Sequence, residues 1–436
     1  SIPDITYKQF ASSYLVSNVV RKWIPKDTKE ADAAAYNTFI AANYRCRDWT
    51  FTPTSSIDSI LVEEIRTIID DFLHPGGETM ISSYYDLWAH GRPGPGASVG
   101  GFGTSYYTKY FASPLASTSD FLYKSYRDYC RWIPTLSEAE QVRYDSLGDA
   151  HIVNGSRCSF VPKTTKSSRM ICVEPNLNMF AQLGFAHYIE ARLKSVFQID
   201  LSTQPSVNHR LAQLGSSTGQ YCTIDLSSAS DSISLRLCEM LFPKWFFELL
   251  LVLRSHSTTI NGKSVPLYML STMGNGFTFP IQTLIFSSIV KACIRLKSNT
   301  DLKFSVFGDD IIVDKSVYHS VIHVLKMLNF EPNPSKTFFE GPFRESCGAD
   351  WFYGQPVRPV FIRKMKSAQD ISVAINLFNE WSAYTGIPLR GTIAYLLSIL
   401  QPKLKCFVPF DSNNDAGIRV PLKLVTNKRF DKNNSF

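Results

Sequence analysis

The chain has 436 residues, of which 44% are hydrophobic and 19% charged, with a formal net charge of +7. This composition excludes a disordered polyelectrolyte, and the length exceeds one simple core, so two or three subdomains are expected. The nine cysteines, at 46, 130, 158, 172, 222, 238, 293, 347 and 406, contain no C-x-x-C pair and are odd in number. They argue against a disulfide framework or a zinc knuckle and for reduced thiols. The positive excess suits a polyanion partner but is common in proteins that have none.

The opening residues 1–10 are polar and mixed, without a signal-peptide pattern. The longest apolar run, residues 241–253, holds Pro243, Lys244 and Glu248 and is shorter than the ~20 residues a membrane span needs. It reads as a buried helix, and the expectation is a soluble intracellular protein with no membrane partner. The first 75 residues read as helical. Ile60, Leu61, Ile65, Ile68, Ile69 and Phe72 recur at helical spacing over residues 57–73. Residues 91–104, GRPGPGASVGGFGT, exclude regular structure and read as a surface loop; no Walker or G-x-G-x-x-G pattern is present.

The middle of the chain alternates short β-like runs (221–225, 264–269, 304–313) with apolar helical runs. One helix is predicted over 280–296, with Pro280 in its first turn and Ile281, Leu284, Ile285, Ile289, Cys293 and Ile294 on one face. Asn261-Gly262 signals a hairpin. Further helices are predicted over 368–381 and 391–400. Residues 401–436 carry seven Lys or Arg and three Asp, which fits either a solvated terminus or a surface against RNA.

The sharpest local feature is Gly308-Asp309-Asp310 between two β-like runs. Gly followed by a polar residue suits a tight turn, and most such tripeptides are no more than that. Two adjacent aspartates at a hairpin tip nevertheless repel and raise one another's pKa unless a cation lies between them. Asp225 ends another β-like run and is a candidate third carboxylate. Hard oxygen donors of this kind select Mg²⁺ or Mn²⁺, and a pair of such ions serves phosphoryl transfer.

Around these carboxylates lie residues 161–175 (VPKTTKSSRMICVEP), 204–216 (QPSVNHRLAQLGS), 225–234 (DLSSASDSIS), 271–279 (STMGNGFTF), 307–310 (FGDD), 333–338 (NPSKTF) and 341–348 (GPFRESCG). In this order they resemble the motif set of the replicases of small single-stranded RNA bacteriophages, the levivirus family. The resemblance covers roughly residues 150–365. It implies an α+β right-hand polymerase. Residues 1–75 would form a helical bridge between fingers and thumb, 76–215 the fingers, 216–350 the palm (with 235–270 partly fingers) and 351–436 the thumb and tail.

The resemblance also implies roles. Asp225 and the Leu226 carbonyl correspond to the motif A metal ligands, Asp309 to the principal motif C ligand and Asp310 to a weaker or outer one. Lys163, Lys166 and Arg169 correspond to the basic motif that grips the triphosphate, for which three cations within seven residues are well suited. Ser271, Gly274 and Asn275 belong to the motif B loop, with Asn275 toward the sugar. Ser230 and Asp231 are the candidates for reading the ribose 2′-hydroxyl; a helix cap is the plainer role for Ser230. Lys336 corresponds to a general acid for pyrophosphate, and Arg344 to a contact with the phosphates of the growing strand.

The implied activity is primer-independent RNA synthesis on a single-stranded RNA template from ribonucleoside triphosphates, with two Mg²⁺ ions, in the cytoplasm of an infected bacterium. The implied host partners are elongation factors Tu and Ts and a ribosomal protein. Three departures stand out. Phe307 replaces a usual Tyr, Ser230 stands where many related polymerases have Asp, and the chain is short after residue 400, which fits either a reduced thumb or residues missing from this sequence. The competing readings are a reverse transcriptase, a non-catalytic RNA-binding protein that keeps the fold, and a metal phosphohydrolase. The last lacks the histidines such sites often use.

Overall fold

A computed structural model describes residues 6–24, 27–164, 166–297 and 302–425. The N-terminal periodicity becomes three helices, α1 (Tyr7–Lys22), α2 (Lys29–Asp48) and α3 (Ser56–Leu73). Ser55 opens α3 with a reciprocal cap. Its hydroxyl accepts the Asp58 N–H, and the Asp58 carboxylate accepts the Ser55 N–H. Leu61, Ile65, Ile68, Ile69 and Phe72 are buried, but Ile60 is 55% exposed. At about 100° per residue it falls off the stripe that the other five form, so its assignment to that face is corrected.

The long helices α4 (Asn176–Phe197) and α5 (Gln204–Thr218) follow. The run 241–253 is not one helix, as the sequence suggested. A short helix ends at Leu241, Pro243 lacks the N–H needed to continue it, and α6 (Lys244–Leu253) starts afresh with Pro243 as its N-cap. α7 (Thr278–Leu296) carries Pro280 in its first turn, as predicted, and packs against both α3 and α4. It is buried on nearly every side, Thr283, Ser287 and Ser288 included, rather than on one face. α7 is also long and apolar enough to cross a membrane, but 78% of it lies inside the protein, as the core helix of the central body.

Eleven strands matter for the site. β1 (Ser156–Pro162) and β2 (Ser168–Val173) form a hairpin that continues through β5 (Ser257–Ile260) into β6 (Lys263–Pro266), in the order β2–β1–β5–β6. Asn261 and Gly262 join β5 to β6 with φ of 49° and 78°, the two positive values a type I′ turn requires. The central sheet has the order β3–β8–β7, with β3 (Tyr221–Ile224), β7 (Ser305–Phe307) and β8 (Asp310–Asp314) all antiparallel. β4 (Leu226–Ser227) leaves that sheet and pairs with β9 (Glu331–Pro332). β10 (Phe343–Ser346) and β11 (Ala349–Phe352) form a further hairpin.

α8 (Ala368–Thr385) runs past the end of the helix predicted over 368–381, and α9 (Arg390–Ile399) lies one residue earlier than the helix predicted over 391–400. They share a core with α1, whose Ala11 and Leu15 meet Val357, Ile375, Trp381, Leu396 and Ile418. Within the tail, residues 401–425 are described and 426–436 lie outside the described residues. All nine cysteines are free thiols. The glycine- and proline-rich stretch 91–104 is irregular, as expected, but it is pinned rather than a plain surface loop. Lys109 is 2% exposed, and its ammonium donates to the carbonyls of Gly94 and Gly96.

Candidate active site

The site grows from a break in strand pairing. β3 pairs with β8 up to Ile224↔Ile311, and one more step of that register sets Asp225 opposite Asp310. At Asp225 the backbone leaves the sheet. Its carbonyl accepts the Asn333 N–H at 2.8 Å and the Thr337 hydroxyl at 3.2 Å. Its carboxylate accepts from the Asn333 side-chain amide at 2.9 Å and from the Lys336 ammonium at 3.3 Å. Residues 331–338 therefore wrap Asp225 and fix where its oxygens point.

β7 and β8 are joined by a two-residue turn, since Phe307 pairs with Asp310. Gly308 alone in that turn has a positive φ, 61°, which suits a type II′ turn. A Cβ there would lie 2.4 Å from the Phe279 ring, so only glycine fits. The Gly308 N–H donates to the Thr283 hydroxyl at 3.0 Å, and Phe307 meets Phe279 edge-on at 4.6 Å, which docks the turn on α7.

Asp309 sits at the tip. Burial raises its pKa first, and the neighbouring Asp225 raises it further. Burial and then Asp309 push Asp310 up to about 6. Asp310 faces backwards: the Ser346 hydroxyl donates to its Oδ1 at 3.3 Å. Asn208 on α5 donates to Ser346 Oγ at 3.0 Å and to the Asp310 carbonyl at 3.4 Å. Among the described residues no three His, Cys, Asp or Glu side chains close around a single point. The forward pair is Asp225 and Asp309, and the nearest cation is a protein one. Lys336 also reaches Glu345, at 3.4 Å. Burial works against the Lys336 charge, but Glu345 and Asp225 more than offset it and raise its pKa. Two hard carboxylates held beside an ammonium, with a repulsion between them still only partly relieved, form a donor set that fits Mg²⁺ or Mn²⁺.

The other sequence candidates fall into groups. Lys163 lies at the end of the β1–β2 hairpin within electrostatic reach of Asp225, Asp309 and Lys336; burial, then Arg169, then Lys336 lower its pKa. Lys166 and Arg169 are exposed on the same hairpin, whose Thr165 lies outside the described residues. Ser230 and Asp231 form a short 3₁₀ turn and are 9% and 8% exposed. Ser230 caps no helix; Ser234 performs that role, accepting the Leu237 N–H. Burial pushes Asp231 up to about 6. Ser271 is 3% exposed and its hydroxyl has no partner among the described atoms. Gly274 has φ of 115°, and a Cβ there would meet the Cys172 carbonyl at 2.3 Å.

Arg344 requires a correction. It is fully buried rather than turned toward a nucleic-acid strand. Its guanidinium donates to the carbonyls of Tyr221 at 2.7 Å, Gly341 at 2.8 Å, Phe343 at 2.6 Å and Phe339 at 3.2 Å. Sequence reasoning also missed the buried residues that hold the 271–276 loop. Arg254 donates to the carbonyls of Leu267, Met269 and Leu270. Gln182 accepts the Gly276 N–H at 2.9 Å. Glu174 lay inside a recognised motif but had no assigned partner, because its partners lie on α4 and after α6.

The fold is that of an RNA polymerase. The structure aligns with the RNA-dependent RNA polymerase of a human picorbirnavirus at a TM-score of 0.52 and 10% identity, over 91% of this chain and 81% of that one. The family is narrower: the RNA replicase, beta-chain family model matches residues 3–407, and the chain belongs to this family. Curated relatives include the RNA-directed RNA polymerase subunit beta of Enterobacteria phage SP, 42% identical over 52% of this chain and 39% of that protein. The beta chain of Escherichia phage MS2 is 40% identical over 60% of this chain and 47% of that protein. The matched part thus spans less than half the length of these relatives.

Proposed function

We propose that this chain performs template-directed RNA synthesis from ribonucleoside triphosphates, copying a single-stranded RNA genome without a primer. The single observation that carries this reading is the meeting of Asp225 and Asp309 beside Lys336 at the end of the central sheet, within electrostatic reach of the basic Lys163. Family membership and the polymerase fold support it. In this reading the β3–β8–β7 sheet belongs to the palm, the β1–β2 hairpin to the fingers and the α8–α9 region to the thumb.

Asp225, Asp309 and the Leu226 carbonyl would hold the Mg²⁺ pair, with Asp310 behind them and Mn²⁺ as an alternative. When bound, the ions supply Lewis acidity to the attacking 3′-oxygen and the leaving pyrophosphate. The protein does the rest. Lys163, Lys166 and Arg169 neutralise the triphosphate. Lys336 holds its proton at Nζ, within reach of the departing oxygen. Ser271 and Asn275 are the proposed contacts to the sugar, and Ser230 and Asp231 the proposed readers of its 2′-hydroxyl. Base pairing selects the nucleotide. Host elongation factors Tu and Ts and a ribosomal protein are the proposed partners, and the infected bacterial cytoplasm the proposed compartment.

The test supplies the purified chain with unprimed RNA template, four ribonucleotides and Mg²⁺, with and without host extract proteins. A γ-phosphate label on the initiating nucleotide that persists in the product supports unprimed initiation. Label found only after a primer is added overturns that part. Product that forms only with host extract makes the chain one subunit of a larger enzyme.

A further inference from the structure

We propose that Glu174 is the positioning residue of the ribose pocket, fixing the 271–276 loop through Asn275 and Gln182 so that ribose is preferred over deoxyribose. This inference rests on the polymerase reading above and deepens it.

Glu174 lies between β2 and α4 and is 2% exposed. A buried carboxylate without a direct ion pair is costly and is retained only where several donors converge on it. Here they do. The Ser255 hydroxyl donates to Oε2 at 2.7 Å and the Gln182 amide to the same oxygen at 3.2 Å, and the Asn275 side chain lies close enough to favour the charged form. Gln182 relays the hold, since its Oε1 accepts the Gly276 N–H. Asn275 has its own Oδ1 committed to the Phe277 N–H at 2.9 Å.

One turn earlier the Cys172 N–H donates to the Met273 carbonyl at 2.8 Å, and Gly274 lies against the Cys172 carbonyl. The loop is therefore clamped along its length to the strand that carries Arg169. The hairpin that meets the triphosphate and the loop that meets the sugar share one anchor. Burial raises the Glu174 pKa, and the donors around it oppose that rise.

The test is single-nucleotide incorporation, with host extract proteins present, by the unaltered chain and by the E174Q, S255A and N275A variants. Glutamine can keep its oxygen where Oε2 accepts from Ser255 and Gln182, but it puts an NH2 group in place of Oε1 and removes the charge that acts on Asn275. E174Q is expected to raise KM for the ribonucleotide about tenfold with little change in kcat, and to lower the ribo-to-deoxy preference about tenfold. S255A, which withdraws one donor but leaves the carboxylate and the Gln182 bond, has a smaller effect. The E174Q/N275A double variant loses no more than the worse single variant, because the two residues act as one unit.

Unchanged sugar preference in E174Q, or strictly additive losses in the double variant, overturns the inference alone. If E174Q fails to fold, S255A decides it: a partial loss of sugar preference on withdrawing that donor from Glu174 supports the inference, and an unchanged preference overturns it. No RNA synthesis by the unaltered chain overturns the inference together with the polymerase reading.

Discussion

Replacing Arg344 separates two accounts of this residue. As a contact with strand phosphates, its loss weakens RNA binding and lowers the salt dependence by about one counterion, with stability unchanged. The structure gives a different expectation. The guanidinium is fully buried and links the start of β3, through the Tyr221 carbonyl, to the carbonyls of Phe339, Gly341 and Phe343. Methionine fills a similar volume but leaves these acceptors without donors. Bonds from a charged donor contribute ~1.5–3 kcal/mol each and are not additive, while burying the guanidinium without a carboxylate partner costs several kcal/mol in return. The net loss is about 3–5 kcal/mol, comparable to breaking a buried charged pair and a large share of the ~5–15 kcal/mol that holds a domain together. Lysine rescues little, since one ammonium cannot reproduce the fork. Urea denaturation followed by circular dichroism measures the stability. Filter binding across a salt series, on protein shown to be folded, measures RNA affinity. A variant of full stability with weaker, less salt-dependent RNA binding refutes this reasoning.

Gly274→Ala forces a Cβ against the Cys172 carbonyl at a φ of 115°. It should cost about 2 kcal/mol or more and raise the nucleotide KM, as read by thermal melting and steady-state incorporation. Asp350 is 2% exposed, and burial, only partly opposed by Arg358, pushes its pKa up to about 6. The folded chain therefore binds more protons than the unfolded chain between about pH 4 and pH 6, so this group's contribution to stability falls as pH rises through that window, by roughly 3 kcal/mol. Asp350→Asn should flatten the fall when denaturation at pH 4.5 and pH 7 is compared; an unchanged slope counts against the assignment. Lys336→Met removes the ammonium that competes for Asp225. The Mg²⁺-induced rise in melting temperature should then saturate at lower Mg²⁺, while incorporation slows about 10²-fold for want of a proton donor. Weaker Mg²⁺ binding in that variant contradicts the competition.

Much of the site was legible because it is written locally. Gly308-Asp309-Asp310 and Asn261-Gly262 carry their turn geometry in adjacent residues, and the stripe on α3 carries its burial in its spacing. What escaped depends on groups distant in sequence. Arg344 lies among charged and polar residues and reads as a surface cation; only the fold brings the Tyr221 and Phe339 carbonyls to it. Glu174 and Arg254 are charges in apolar surroundings, which local pattern disfavours, and their partners come from separate helices and loops. Pro243 stands in the sequence, but the apolar residues on both sides of it mask how it divides the 241–253 run. The all-round burial of α7 was hidden because Thr283, Ser287 and Ser288 satisfy themselves inside the protein or go unpaired, and so do not mark a solvent face.

The most direct test of the account is labelled ribonucleotide incorporation on an RNA template by the unaltered chain, Asp309→Asn and Asp310→Asn, with Mg²⁺ and host extract proteins. The account predicts template-dependent RNA that chelator abolishes. It predicts a loss of ~10³-fold or more in Asp309→Asn, because a forward ligand of the reacting site is gone, and a smaller loss in Asp310→Asn, whose carboxylate faces Ser346. Unaltered synthesis by Asp309→Asn contradicts it.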